Sequence, residues 1–171
     1  IDWCWEEARA SVLSNSWGGG PPTDVITRAF DRARSKGRGG LGCVIAAATG
    51  NDEGPVNFPA RLPSVLGVGA SNPWDELKTR TSRDGEPWWG SNHGRGLDLL
   101  APGVRIPTTD LHGPRGYGAD DFVPDFNGTS AATPHVAGAA ALILAVAPRL
   151  TARQIRDIII GTADPLRTAS G

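Results

Sequence analysis

A chain of 171 residues, 39% hydrophobic and 20% charged, is long enough to bury the core of one domain. Its formal net charge of -1 leaves no basic excess for nucleic acid or anionic lipid, so neither nucleic acid nor a membrane is an expected partner. The 23 Gly and 14 Pro lie between apolar runs without forming a low-complexity tract, and so read as turns of a loop-rich α/β protein.

Asp2 to Arg9 has the pattern of an amphipathic helix tail, and Ile1-Asp2-Trp3 opens into it without the basic and apolar regions of a signal peptide. Ser11 to Ser16 reads as a short strand stopped by Trp17-Gly18-Gly19-Gly20-Pro21-Pro22. Asp24 to Lys36 places Val25, Ile26, Ala29, Phe30 and Ala33 on one helical face, with Thr23 or Asp24 to cap it and Gly37 to end it. Gly42 to Ala48 is an unbroken apolar run, the pattern of a parallel strand buried on both faces. Strand, helix and strand make a βαβ unit.

Ser64 to Ala70 and Asp98 to Ala101 supply a third and a fourth strand, with hairpin or edge strands expected between them over Trp74 to Asn92. Thr108 to Asp125 reads as a surface loop or short ribbon. A small-residue helix follows, to about Val146 before Pro148, and Thr151 caps a last helix over Ala152 to Gly161. No apolar run reaches the roughly 18 residues of a membrane span; even Val136 to Ala147 is short and Ala-rich. The whole is a mostly parallel sheet with helices on both faces, forming one unit over residues 1–171. Cys4 and Cys43 are far apart in sequence, which leaves open whether they pair.

The most chemically informative run is Asn127-Gly128-Thr129-Ser130-Ala131-Ala132-Thr133-Pro134-His135-Val136-Ala137-Gly138. Gly128 permits close backbone approach, Ser130 begins the helix as a cap-like residue, and the helix N-terminus offers N–H groups to developing negative charge. Ser130 reads either as a nucleophile or as a simple N-cap. Asn51 ends a buried strand after Gly50, where open sheets place ligand-binding groups; it reads as an oxyanion donor or as a turn residue.

A serine nucleophile needs a base, and none of the three histidines fits. His135, five residues along the same helix, points elsewhere, while His93 and His112 lie in a turn and an irregular loop.

Gly128-Thr129-Ser130 followed by Pro134-His135-Val136-Ala137-Gly138 resembles the nucleophile motif of the subtilisin-like serine peptidases, or subtilases. Ala47-Ala48-Thr49-Gly50-Asn51 resembles the family's oxyanion-Asn motif, with Thr49 in place of a small residue, and Ser16-Trp17-Gly18-Gly19 resembles its substrate-pairing strand. The resemblance implies the C-terminal half of the family's catalytic domain, and hence part of its three-layer α/β architecture. It implies Ser130 as nucleophile, Asn51 and the Ser130 N–H as oxyanion donors, and Thr129 near the oxyanion. Ser16, Trp17 and Gly18 would form one wall of the substrate groove, and Ala48, Thr49 and Gly50 the other.

The chemistry needs no cofactor. The carbonyls of Ala60, Leu62 and Val65 with the Asp98 carboxylate match a weak calcium or monovalent-cation site of some members, although Gly96 replaces a second acid. Phe58-Pro59 falls where the family commonly has a cis bond. In the family the catalytic His and Asp precede the Ser-Trp-Gly-Gly strand, so both are expected before Ile1, and the chain alone is expected to be inactive. The implied partners are a peptide or protein substrate, and the complementary N-terminal half or a second copy; family habit implies export. A degenerate peptide-binding module and a plain scaffold are the alternative readings.

Overall fold

Short apolar runs separated by Gly and Pro form the elements, in chain order, α1 (Asp2–Glu6), β1 (Val12–Asn15), α2 (Asp24–Lys36), β2 (Val44–Ala48), β3 (Leu66–Ser71), β4 (Leu99–Pro102), β5 (Ile106–Thr109), β6 (Phe122–Phe126), α3 (Thr129–Val146) and α4 (Ala152–Thr162). These come from a computed structural model that describes residues 1–165. The expected unit of 1–171 therefore ends in residues 166–171, which lie outside the described residues.

The first four strands pair in parallel, in the order β1-β2-β3-β4. Successive residues of β2 face opposite sides of the sheet. Val44 and Ala46 join Leu66, Val68, Ala132, Val136, Ala140, Ile155 and Ile159 in a core beneath α3 and α4. Ile45 and Ala47 join Leu13, Phe30 and Ala33 in a second core beneath α2. All five β2 residues are buried, which is why the run is apolar throughout. The α/β architecture with helices on both faces is as the sequence implies.

Several expectations are corrected. Val25 is 77% exposed and lies off the buried face of α2, which is Ala29, Phe30 and Ala33. Thr23 sits at the α2 N-cap, but its side chain makes no capping bond. Thr151 does cap α4, in a reciprocal box with Gln154.

Residues 74–92 form no named strand, only isolated bridges, antiparallel between Ser71 and Leu77 and parallel between Asp52 and Gly90. Their polar groups turn inward instead: Lys78, Asp84 and Glu86 are buried, and Lys78 Nζ donates to the Thr79 and Glu86 carbonyls at 2.6 and 2.8 Å and pairs with Asp84 at 3.1 Å. Side-chain bonds satisfy backbone groups that a ladder would otherwise need. Residues 106–126 form the expected ribbon, β5 antiparallel to β6, with an irregular register between Ile106 and Thr108.

The 18-residue α3 has a mean hydropathy of 1.4 and is long and apolar enough to cross a membrane, which corrects the expectation that no segment reaches that length. It packs across all four strands of the parallel sheet, as a core helix does.

Candidate active site

Gly50 and Asn51 follow directly from the carboxyl end of β2. Gly50 has φ +108°, and a Cβ there would lie 2.3 Å from Asn92 Nδ2 and 2.4 Å from Asn57 Nδ2, so the turn requires glycine. Asn92, 1% exposed, splints it: its Nδ2 donates to the Thr49 carbonyl at 3.1 Å, and its Oδ1 accepts from the Asp52 and Gly54 N–H groups at 2.9 and 3.0 Å. Ala48 and Thr49 are buried, and the Thr49 hydroxyl has no hydrogen-bond partner among the described residues.

Across this turn lies the start of α3. The Thr129 N–H and hydroxyl both donate to Asn51 Oδ1, each at 2.9 Å, while Thr129 Oγ1 accepts from the Gly50 N–H at 3.2 Å. A backbone N–H can only donate, so the Asn51 atom facing it is the oxygen. Nδ2 is therefore left as a donor, and among the described residues neither it nor the Ser130 N–H meets an acceptor. A Cβ on Gly128 would stand 3.2 Å from Asn51 Nδ2 and 3.6 Å from Ser130 N. Gly128 has φ +116°, so both sterics and backbone conformation keep a side chain away from these two donors. Two fixed donors beside a hydroxyl can stabilise a tetrahedral oxyanion.

Gly128, not Ser130, is the N-cap of α3, which corrects the reading of Ser130 as cap-like: its hydroxyl caps nothing and donates to the Ser16 carbonyl at 3.3 Å. The reciprocal bond has a cause in the sequence. Pro134 lacks the N–H that would take the Ser130 carbonyl four residues back, and the Ser16 hydroxyl donates to that carbonyl instead, at 2.9 Å.

Ser16 to Gly20 are exposed beyond β1, with the Gly19 N–H on the Phe58 carbonyl at 2.8 Å. Trp17 stacks on Phe30 with ring centroids 6.2 Å apart. Phe58-Pro59 is cis. Ser16, Asn51, Thr129 and Ser130 thus meet at the carboxyl ends of β1 and β2. A groove lined by Leu99, Ala101, Ile160 and Ala163 lies elsewhere, along β4 and the end of α4.

The histidines do not join them. His135 Nδ1 lies 2.9 Å from the Ala131 carbonyl, one turn back along α3, and His112 Nδ1 lies 2.5 Å from Asp121 on the ribbon loop. The His93 N–H donates to the Gly54 carbonyl.

Three of the four expected cation donors, Leu62, Val65 and Asp98, already hold hydrogen bonds. Arg156 donates to the Val65 carbonyl at 2.9 Å and to Asp98 Oδ1, while Asp98 Oδ2 accepts from the Gly67 N–H at 2.8 Å. The Leu62 carbonyl accepts from the Val65 N–H. A hard cation takes six to eight oxygens with matching negative charge. With its one carboxylate paired to a guanidinium, the set of Ala60, Leu62, Val65 and Asp98 does not supply the charge that a resident calcium ion takes.

The parallel α/β sheet thus places a helix-borne serine and an Asn amide together at its carboxyl edge. The family model described as "Subtilase family" matches residues 1–170. The chain belongs to the subtilase family, the subtilisin-like serine peptidases. It is 38% identical over 168 residues to subtilisin E of Bacillus subtilis (strain 168), covering 95% of this chain and 38% of that protein. It is also 38% identical to the subtilisin of Bacillus pumilus, covering 52% of that chain, and 35% identical over 156 residues to subtilisin Savinase of Lederbergia lenta, covering 49%. The chain thus spans about two fifths to one half of the length of these curated relatives.

Sequence reasoning did not find Asn92 or Glu86. Neither belongs to a motif or a periodic face, and only their buried polar partners distinguish them.

Proposed function

We propose that this chain supplies the nucleophile, Ser130, and the oxyanion donors, Asn51 Nδ2 and the Ser130 N–H, of a serine endopeptidase. The base and its orienting acid come from residues outside positions 1–171. The observation that carries the reading is the pair of Thr129 bonds that turns the Asn51 amide so that Nδ2 stays a donor beside Ser130.

A peptide adds along Ser16 to Gly19, its backbone pairing with that exposed segment. An incoming His takes the hydroxyl proton that Ser16 now accepts, and Ser130 Oγ attacks the scissile carbonyl. The oxyanion develops toward the two donors, the amine leaves with the proton from the His, and water then hydrolyses the ester. The chain is inactive alone, needs no metal for chemistry, and works outside the cell as a family habit.

A second reading, a peptide-binding module without turnover, draws on one observation: no histidine among the described residues reaches Ser130. Joining the chain to an upstream segment bearing the family's His and Asp separates the two. Peptide hydrolysis that disappears in Ser130→Ala supports the enzyme, whereas saturable peptide binding with no turnover supports the module.

A further inference from the structure

We propose that Glu86 is a positioning residue for the nucleophile, acting through Asn127. Glu86 is charged and 4% exposed, and every polar contact of its carboxylate leads toward the Ser130 turn or anchors the loop that carries it. Its Oε1 accepts from Asn127 Nδ2 at 3.2 Å and from Arg105 Nε at 3.3 Å, and its Oε2 accepts from Trp89 Nε1 at 2.9 Å.

Asn127 is held at its other end as well, since its Oδ1 accepts from the Arg105 N–H at 2.7 Å. That N–H can only donate, so the amide orientation is fixed and Nδ2 must face Glu86. The next residue, Gly128, is the N-cap of α3, and its N–H donates to the Gly103 carbonyl at 2.9 Å. Asn127 is therefore clamped one residue before the turn that sets Ser130 N and Asn51 Nδ2.

The clamp is itself supported. Lys78 Nζ donates to the Glu86 carbonyl at 2.8 Å, the Glu86 N–H donates to Asp84 Oδ1 at 3.0 Å, and Arg105 Nη2 donates to the Asp84 carbonyl at 2.6 Å. The buried Lys78, Asp84 and Glu86 thus brace Asn127, one residue before the nucleophile turn. Oxyanion donors misplaced by a fraction of an ångström lose their differential hold on the transition state. Loss of the carboxylate is expected to lower kcat and leave KM nearly unchanged.

The inference rests on the serine-peptidase reading of Ser130, and its test separates the two. Glu86→Ala, Glu86→Gln and the control Arg83→Ala, which removes the exposed Arg83–Glu76 pair of the same loop without touching Glu86 or its supports, are compared in two forms. In the enzyme completed with its upstream segment, Glu86→Ala should lower kcat about 10- to 100-fold with KM within about twofold. Glu86→Gln should recover part of the loss, and Arg83→Ala should stay near wild type.

In the 171-residue chain itself, amide hydrogen exchange at Gly128 should accelerate in Glu86→Ala and not in Arg83→Ala. Equal kcat in Glu86→Ala and wild type, or equal Gly128 exchange in Glu86→Ala and Arg83→Ala, overturns the proposal. If the completed wild-type enzyme has no turnover, the peptidase reading fails and the exchange result alone decides the clamp.

Discussion

At the scale of single residues, the site depends on polar atoms with one permitted direction. Asn51 is oriented because its oxygen is claimed twice by Thr129. Asn51→Ala in the completed enzyme should lower kcat by about 10²- to 10³-fold with little change in KM, read from initial rates. That magnitude was measured in a subtilisin and so is not independent of this family.

Asn92 serves geometry and not chemistry. Asn92→Ala leaves the Asp52 and Gly54 N–H groups without their acceptor and should cost about 1–3 kcal/mol in urea unfolding, while Asn92→Asp, which buries a charge and turns an oxygen toward the Thr49 carbonyl, should cost at least as much at neutral pH. The motif residues Asn51, Thr129 and Ser130 were legible because a run of specific residue types names a local geometry. Asn92 and Glu86 were not, because their roles exist only once residues 38 to 43 positions apart are brought together.

At the scale of elements, hydrophobic periodicity located the strands and helices and failed where polar burial replaced it. β2 was legible because two covered faces demand an unbroken apolar run, and α4 because Thr151 and Gln154 spell a capping box. Residues 74–92, polar and Trp-bearing, read as hairpin or edge strands, but a buried ion pair organises them. Lys78 and Asp84 are both fully buried. Breaking such a pair from one side is costly. Lys78→Met should lower stability by about 3–5 kcal/mol, and the double change with Asp84→Asn should recover part of that loss, measured by denaturant midpoints.

The same pair predicts a pH response. Burial opposes the Asp84 charge, but bonds from Ser82, the Glu86 N–H and Lys78 outweigh it and hold the carboxyl below the ordinary 3.8. A folded value below the unfolded one gives stabilisation that is present above the unfolded value and lost as pH falls through the folded one. The acid limb of the stability curve below about pH 4 should therefore flatten in Asp84→Asn.

At the scale of the whole molecule, β1 is an edge strand, and among the described residues nothing covers Leu142 and Val146 of α3, which are 71% and 87% exposed. An open parallel edge and exposed apolar helix residues are what a surface that meets a complement would show. The proposal that the complement is the upstream segment, with a second copy as substitute, predicts self-association of the chain alone. Sedimentation should show dimers or larger species at micromolar concentration that dissociate when the upstream segment is added; a stable monomer throughout would count against it.

Covalent labelling of Ser130 tests the central claim most directly. The completed enzyme is treated with a fluorophosphonate, which traps an activated serine through a phosphoryl ester, and the modified residue is located by mass spectrometry. The account predicts stoichiometric labelling at Ser130 with matching loss of peptidase activity, no labelling in Ser130→Ala, and none in the 171-residue chain by itself. Labelling at another serine, or peptidase activity that survives Ser130→Ala, would contradict it.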